Sequence, residues 1–365
     1  MSAPASKPAA AKARRKPAPS NRRRNKSPVQ VKPINLALQG GGAHGAFTWG
    51  VLDRLVEDER VAIEGISGTS AGAMNAAVLA CGLSQGGRDG ARSKLEDFWR
   101  QISEKALFSP FQATPLSRAT GNWNIDHSPS YLAFDVLSRL LSPYQLNPMA
   151  YNPLREVLER SVDLDCLHAC RDIKLFVSAT NVRSGKIRVF NTQDVTIDAL
   201  LASACLPTLF QAVEIDGDPY WDGGFMGNPA LFPLFYHCDS RDVVIVQVNP
   251  ITREEVPKTA REILDRMNEI SFNSSLMREM RAVAFVSRLI DDGLLSDKGY
   301  KRVLIHMIEA EEEMKELGFS SKLMADWSFL THLRDLGREA AARWLERNHE
   351  RLGQNSTLDI AGKFL

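Results

Sequence analysis

Ser70 stands in Gly68-Thr69-Ser70-Ala71-Gly72, a G-x-S-x-G pattern. Small residues on both sides let a strand turn sharply into a helix and force the serine hydroxyl outward, as in a nucleophile elbow. The same turn sets Ser70 at a helix N-terminus, where unpaired N–H groups and the macrodipole favour developing negative charge. A serine there also reads as a plain N-cap, and five residues do not separate the two. Upstream, Gly40-Gly41-Gly42-Ala43-His44-Gly45 is a glycine loop after a short apolar run. Consecutive glycines allow backbone N–H groups to converge on one oxygen, an arrangement worth about 3–4 kcal/mol per donor in acyl transfer. Downstream, Asp222 follows Tyr220-Trp221 and precedes Gly223-Gly224. A carboxylate at such a strand end can be aimed and partly desolvated, which raises its pKa toward the range where it takes and returns a proton. The bland reading is a turn aspartate bonded to its own backbone.

A serine hydroxyl is a poor nucleophile until a base takes its proton. A Ser-His-Asp triad needs a histidine, and His237, His306, His332 and His349 follow the acid in the order usual for such sheets. His306 lies in an apolar strand-like run and His237 near a helix end, and neither has a glycine or loop context to present it. The glycine loop also matches G-x-G-x-x-G, with Asp58, Glu59 or Glu64 as the distant acid of a dinucleotide site. Residues 57–60, however, read as a charged helix end, and the next strand feeds the serine turn. Cys166-Leu167-His168-Ala169-Cys170 has metal-like spacing but no second cluster to complete four ligands. No metal or organic cofactor is expected.

Taken in order, Gly40-Gly41-Gly42-Ala43-His44-Gly45, Gly68-Thr69-Ser70-Ala71-Gly72 and Asp222-Gly223-Gly224 resemble the signature set of the patatin-like phospholipase family. Ala202-Ser203-Ala204-Cys205-Leu206-Pro207 resembles that family's stretch of small residues before a proline, and the likeness spans about residues 34–250. The resemblance implies a three-layer α/β/α sandwich with a mostly parallel sheet, and a Ser-Asp dyad, without a catalytic histidine, that hydrolyses lipid acyl esters. Carried onto this chain, it makes Ser70 the nucleophile and Asp222 the base, and it makes the Gly41, Gly42 and Ala43 amides the oxyanion hole. Gly40, Gly45, Gly68, Gly72, Gly223 and Gly224 are then the motif glycines. His44 departs from the pattern, since family members often have Arg or Lys there. The leading reading of His44 is a plain loop residue; the alternative is a side chain titrating near pH 6.5 that alters headgroup preference or pH response. Rival readings are an esterase or depolymerase for a non-membrane ester, a catalytically weak lipid-binding regulator, and a nicotinamide-binding oxidoreductase.

The elements that must hold these residues are legible as two strand–turn–helix units. Residues 34–39 and 61–67 read as strands, and residues 46–57 and 73–81 as helices, which argues for a parallel sheet covered by helices. Further strands are expected at 173–180, 186–190, 243–248 and 303–308, with a hairpin turn at 181–185 and a mixed sheet overall. Long helices are expected at 261–290 and 327–352. Residues 108–153 break the pattern as an insertion able to cap a site. Within it, Tyr131, Leu132, Phe134, Val136, Leu137, Leu140 and Leu141 are amphipathic, with a core helix the leading reading and a membrane-facing or pocket-covering one the alternative. Phe272, Leu276, Met280 and Val283 read as core.

The chain has 365 residues, 44% of them hydrophobic, and 45 Lys+Arg against 44 Asp+Glu. This composition excludes collagenous and wholly disordered classes. The five cysteines suit reduced core residues rather than a disulfide framework. Residues 1–33 hold ten Lys/Arg, six prolines and no acid, leaving 35 basic and 44 acidic residues, net −9, beyond them. Such a segment cannot bury enough apolar surface to offset its ordering entropy. It reads as a disordered basic tail, passive or touching anionic lipid, with nucleic acid disfavoured. Its composition also matches a transit peptide, although the prolines would interrupt the amphipathic helix. With no apolar run for a signal or a span, a cytoplasmic protein able to meet a membrane peripherally is expected. The expected organisation is the tail (1–33), a hydrolase domain (34–310) and a C-terminal helical extension (311–365) packed on the same core.

Overall fold

The computed structural model describes residues 1–5, 31–107, 111, 123–125, 128–295 and 299–365. Residues 1–5 are exposed and carry no helix or strand. The composition-based tail otherwise falls largely outside the described residues, as does much of the 108–127 part of the insertion.

Among the described residues, eight strands form one sheet: β1 (Lys32–Leu38), β2 (Val61–Gly68), β3 (Lys174–Asn181), β4 (Ile187–Asn191), β5 (Val213–Ile215), β6 (Asp218–Asp222), β7 (Asp242–Val246) and β8 (Leu304–Ile308). The helices are α1 (Gly45–Glu57), α2 (Ala71–Ala106), α3 (Pro129–Leu140), α4 (Pro143–Leu146), α5 (Pro153–Ser161), α6 (Leu164–Ala169), α7 (Ile197–Ser203), α8 (Phe232–His237), α9 (Ala260–Asp291), α10 (Glu311–Lys315), α11 (Trp327–Asn348) and α12 (Ile360–Phe364). The strand order is β5-β6-β3-β2-β1-β7-β8, with β4 also paired to β3. The centre is parallel (β3-β2-β1-β7-β8), whereas β4, β5 and β6 add antiparallel pairs, so the sheet is mixed.

Alternate residues of each central strand enter two different cores, as the period of two requires. Leu36 and Leu38 of β1, Val244 and Val246 of β7 and Leu175 and Val177 of β3 face one core with α1, α2 and α11. Ala37, Val243, Ile245, Phe176 and Ile305 face the other with Leu234 of α8, Leu276, Met280 and Val283 of α9, and Phe364 of α12. Strands covered on both sides are mostly apolar, which is why β7 reads as an unbroken Val/Ile run after Asp242. The result is an α/β/α sandwich.

Several boundaries differ from the sequence reading. β1 begins at Lys32, inside the expected tail, because Lys32 pairs with Val61 of β2 and its N–H donates to Arg60 O; its ammonium also donates to the carbonyls of His349, Glu350 and Leu352. The second helix runs far past residue 81 and is interrupted at Gly86-Gly87, where Gly87 takes a φ of 60°. The β5–β6 hairpin was not anticipated. Its signal is Asp216-Gly217, both at positive φ, the turn chemistry that joins antiparallel strands. α11 lies along α1, where Arg338 pairs with Asp53 and Glu57.

Candidate active site

The site is assembled by β3. Its one edge is taken by β4, which pairs with both Val177 and Ala179. On the opposite edge, β2 pairs as far as Gly68 with Val177, and β6 then pairs Asp222 with Ala179. β2 arrives parallel to β3 and β6 antiparallel, so their C-terminal ends meet head to head two residues apart along β3. The turn after Gly68 and the side chain of Asp222 are thereby forced together, although 152 positions of sequence separate Ser70 from Asp222.

Ser70 takes φ 54° and ψ −126°, a strained conformation for a residue with a side chain. Its backbone N–H donates to the Ser203 hydroxyl at 2.9 Å, which places the end of α7 against the turn. The Ser70 hydroxyl does not cap α2; it lies near enough to the Asp222 carboxylate to help hold that group's pKa down. The N-cap reading of this serine therefore fails. Gly72 is required by close approach, because a Cβ there would strike the Leu38 carbonyl.

Asp222 is 1% exposed. Its Oδ1 accepts the Gly224 N–H at 2.7 Å, so the bland reading of a turn aspartate is also true of it. Its own backbone is tied down by Asp222 N–H to Cys205 O and Thr180 Oγ1 to Asp222 O, each 2.8 Å. Burial pushes the carboxyl up from 3.8 to about 7, against the opposing pull of the Gly224 amide and the Ser70 hydroxyl. The nearby Cys205 thiol is pushed up to about 12 by burial and by Asp222, so it is inert beside that carboxylate.

The glycine loop abuts the elbow, since any Cβ on Gly40 would lie 2.7 Å from Ser70 Cβ. Gly40 N–H donates to Asn228 Oδ1 at 2.7 Å, and the Gly40 carbonyl accepts from Asn249 Nδ2 at 2.7 Å. Gln39 braces the same loop, its Oε1 accepting from the Val248 and Asn249 amides. Gly42 to His44 form a 3-10 turn closed by His44 N–H to Gly41 O. Among the described residues, the Gly41, Gly42 and Ala43 amides meet no acceptor. Gly45 opens α1, Gly68 closes β2, and Gly223 and Gly224 form the buried turn under Asp222.

For His44 the structure corrects only the alternative of a titrating side chain at the loop. It is buried, and its Nε2 meets Ser321 Oγ at 2.8 Å, while the Ser321 hydroxyl donates to the Gly318 carbonyl. Burial, then Lys322 and Arg253, hold its pKa well below 6.5, so it stays neutral near physiological pH and is not presented as a titrating group. The other histidines considered are placed elsewhere. His306 joins Asp242 and Thr357, His237 stacks on Phe176, His332 stacks on Trp123, and His349 approaches the Arg60 carbonyl. Of the metal-like triplet, His168 is bonded to the Val195 carbonyl, and Cys166 points to the Cys81 carbonyl.

The sequence reading missed Gln39, Ser203 as a direct partner of Ser70, Asn228, Asn249 and Lys322. Ser203 lies in the small-residue stretch already noted. For Asn228 the only local signal is the Asn-Pro step, whose peptide is cis. The amphipathic stretch at 131–141 is also corrected. Tyr131 is buried, but Leu132, Val136, Leu137, Leu140 and Leu141 are exposed, Leu140 by 73%. A broad open cleft of about 1530 Å³ lies between α3 and the start of α9; neither Ser70 nor Asp222 lines it, and its walls include Leu132, Val136, Arg253, Arg261 and Glu269. No described helix is long and apolar enough to cross a membrane.

The model of the patatin-like phospholipase family matches residues 36–235. No curated protein sequence matches the chain. Among solved structures, the chain is similar to VipD from Legionella pneumophila at 16% identity and a TM-score of 0.40, covering 86% of this chain and 67% of that one. It is also similar to ExoU of the Pseudomonas aeruginosa type III secretion system, in complex with SpcU, at 16% identity and a TM-score of 0.33, covering 89% and 53%. A second structure of the ExoU–SpcU complex gives 17% identity and a TM-score of 0.36, covering 88% and 52%. The chain spans about half the length of the ExoU chains it matches.

Proposed function

Because the chain belongs to the patatin-like phospholipase family, a family of lipid acyl hydrolases, we propose that it cleaves acyl esters of phospholipids through Ser70 and Asp222. The observation that carries this reading is the meeting of two strand ends along β3, which sets Ser70, on its strained turn, beside a carboxylate buried enough to titrate near 7. In the ionised state Asp222 takes the Ser70 proton as Oγ bonds to the ester carbonyl carbon. The oxyanion that forms is received by the Gly41, Gly42 and Ala43 amides, with the α2 N-terminus adding its dipole. As the tetrahedral species collapses, Asp222 returns the proton to the departing alcohol oxygen. A water then repeats the sequence on the acyl-enzyme, with Asp222 as base, and releases the fatty acid. One carboxylate serves both half-reactions because its raised pKa lies close to neutrality, where donation and acceptance are nearly balanced.

A lipid substrate agrees with the exposed apolar side chains of α3, which are costly to leave in water unless something covers them. The basic residues of the tail would add attraction to an anionic surface. On this reading the protein meets a membrane peripherally, through α3 and the tail, and works without metal or organic cofactor.

The test is labelling by a fluorophosphonate, wild type against Ser70→Ala, together with fatty-acid release from mixed phospholipid vesicles. Labelling lost in the variant, with fatty acid released by the wild type, is the expected outcome. Labelling without fatty-acid release would redirect the assignment to another ester, and absence of labelling would overturn it.

A further inference from the structure

Lys322 lies outside every motif of the sequence reading, in a 3-10 turn (Phe319–Leu323) before α11. The residue is half-buried as a whole, but its ammonium is directed inward and donates to Asn249 Oδ1 at 2.7 Å. The amide of Asn249 in turn donates Nδ2–H to the Gly40 carbonyl at 2.7 Å. That carbonyl belongs to the same peptide unit as the Gly41 N–H, one of the three amides that meet no acceptor among the described residues. The other side of Gly40 is fixed by Asn228. A cation therefore stands two hydrogen bonds behind a peptide whose free end is a candidate oxyanion donor.

Hydrogen bonds in series polarise one another, and the effect is stronger where water is excluded. An ammonium on Asn249 Oδ1 draws electron density from the Asn249 amide, which sharpens its N–H toward Gly40 O. Withdrawal at that carbonyl leaves the Gly41 N–H more positive. A structural clamp needs no charge for this, and desolvating an ammonium costs several kcal/mol. We infer that Lys322 is a positioning residue whose charge, relayed through Asn249, fixes the Gly40–Gly41 peptide and strengthens the Gly41 amide as an oxyanion donor. The inference rests on the acyl-hydrolase reading of Ser70 and Asp222.

The groups facing Lys322 are Glu269 and Asp265 of α9, which favour its charge, Arg253 of the loop before α9, which opposes it, and neutral His44. Desolvation dominates and brings the ammonium down to about 8. Below that value Lys322 is charged and the relay operates; above it the relay is lost. Asp222 must be ionised to act and gains competence as pH rises through about 7. The two limbs together give a narrow bell.

The test is the pH profile of kcat and KM on p-nitrophenyl butyrate for the full chain and for Lys322→Gln, Lys322→Arg and Asn249→Leu, with a melting curve for each. Glutamine keeps a donor for Asn249 without charge. Its kcat is expected to fall about 3- to 10-fold, a fraction of the loss on deleting an oxyanion donor, with KM within about twofold. Its falling alkaline limb should disappear. Arginine, charged throughout, should retain kcat and also lack the limb, and Asn249→Leu should reproduce the fall in kcat. Where one uncharged variant folds poorly, the other gives the same reading. A wild type without an alkaline limb, or a folded Lys322→Gln or Asn249→Leu with wild-type kcat and limb, overturns the inference while leaving the dyad intact. A wild type that neither turns over nor takes the fluorophosphonate overturns the hydrolase reading and this inference with it.

Discussion

Asp222 and Asp242 are aspartates buried in the same sheet, 1% and 4% exposed, at opposite ends of it. Asp242 begins β7 and is bonded on every side: His306 Nε2 at 2.9 Å and the Gly353 N–H at 2.8 and 3.0 Å. His306 completes the cluster through Thr357 and packs edge-on to Trp344. Asp222 ends β6 beside the C-terminal edge of the parallel strands, where one backbone amide is its hydrogen-bond partner and the Ser70 hydroxyl lies near it. Of the two, the Asp-His pair looks more like a fragment of a triad, yet it ties a strand start to the C-terminal segment. In α/β sheets, ligands bind outside the carboxyl ends of strands. Position in the sheet, more than the company of a histidine, separates the acid proposed to react from the structural one.

The contrast can be broken by experiment. The largest effect is expected at Ser70→Ala, which should cut ester hydrolysis by about 10⁴-fold or more without loss of fold. Asp222→Asn should cost about 10³- to 10⁴-fold in kcat. It should also stabilise the protein. A carboxyl whose folded pKa is raised from 3.8 to about 7 loses folding stability as pH climbs between those values. The variant should therefore melt higher than wild type at pH 8, by an amount corresponding to about 1–3 kcal/mol, with the gain vanishing near pH 4. For wild-type kcat, activity should fall about tenfold per pH unit below about 7, as Asp222 takes up its proton. Asp242→Ala should do the reverse of Asp222→Asn. Leaving His306 and Gly353 without their acceptor should cost roughly 1–3 kcal/mol in denaturant melts, with kcat changed by less than about twofold. If Asp242→Ala instead abolished turnover in a folded protein, the assignment of the two acids would be wrong. The smallest effect is expected from Val136→Ser with Leu140→Ser, which should weaken activity on vesicles several-fold and leave soluble-ester hydrolysis unchanged.

Much of this arrangement is local and so legible in the chain. The elbow, the glycine loop and the Asp222 turn each need small residues at fixed offsets, because backbone and hydroxyl must approach within contact distance, and glycine leaves a visible mark. The strands of the central sheet are equally legible, since burial on both faces demands continuous apolar runs. The helix at 131–141 was misread for a related reason. An amphipathic pattern records that one face is apolar but not what lies against it, and here five of those side chains face outward. Asn228, Asn249 and Lys322 were invisible because a polar side chain in a loop carries no periodic signal, and their roles depend on partners 188, 209 and 73 positions away.

What the sequence determined by itself is the inventory of parts: a serine on a turn too tight for anything but small neighbours, a loop able to offer backbone amides, and an acid ahead of two glycines. Tertiary structure alone decided how they meet. β3 gives one edge to β2 and then to β6, so Gly68, which leads into the Ser70 turn, and Asp222, from distant segments, meet β3 two residues apart. It also decided the electrostatics, since the rise of Asp222 toward 7 and the neutrality of His44 both follow from exclusion of water. Desolvation belongs to the packed whole, and no local run of residues encodes it.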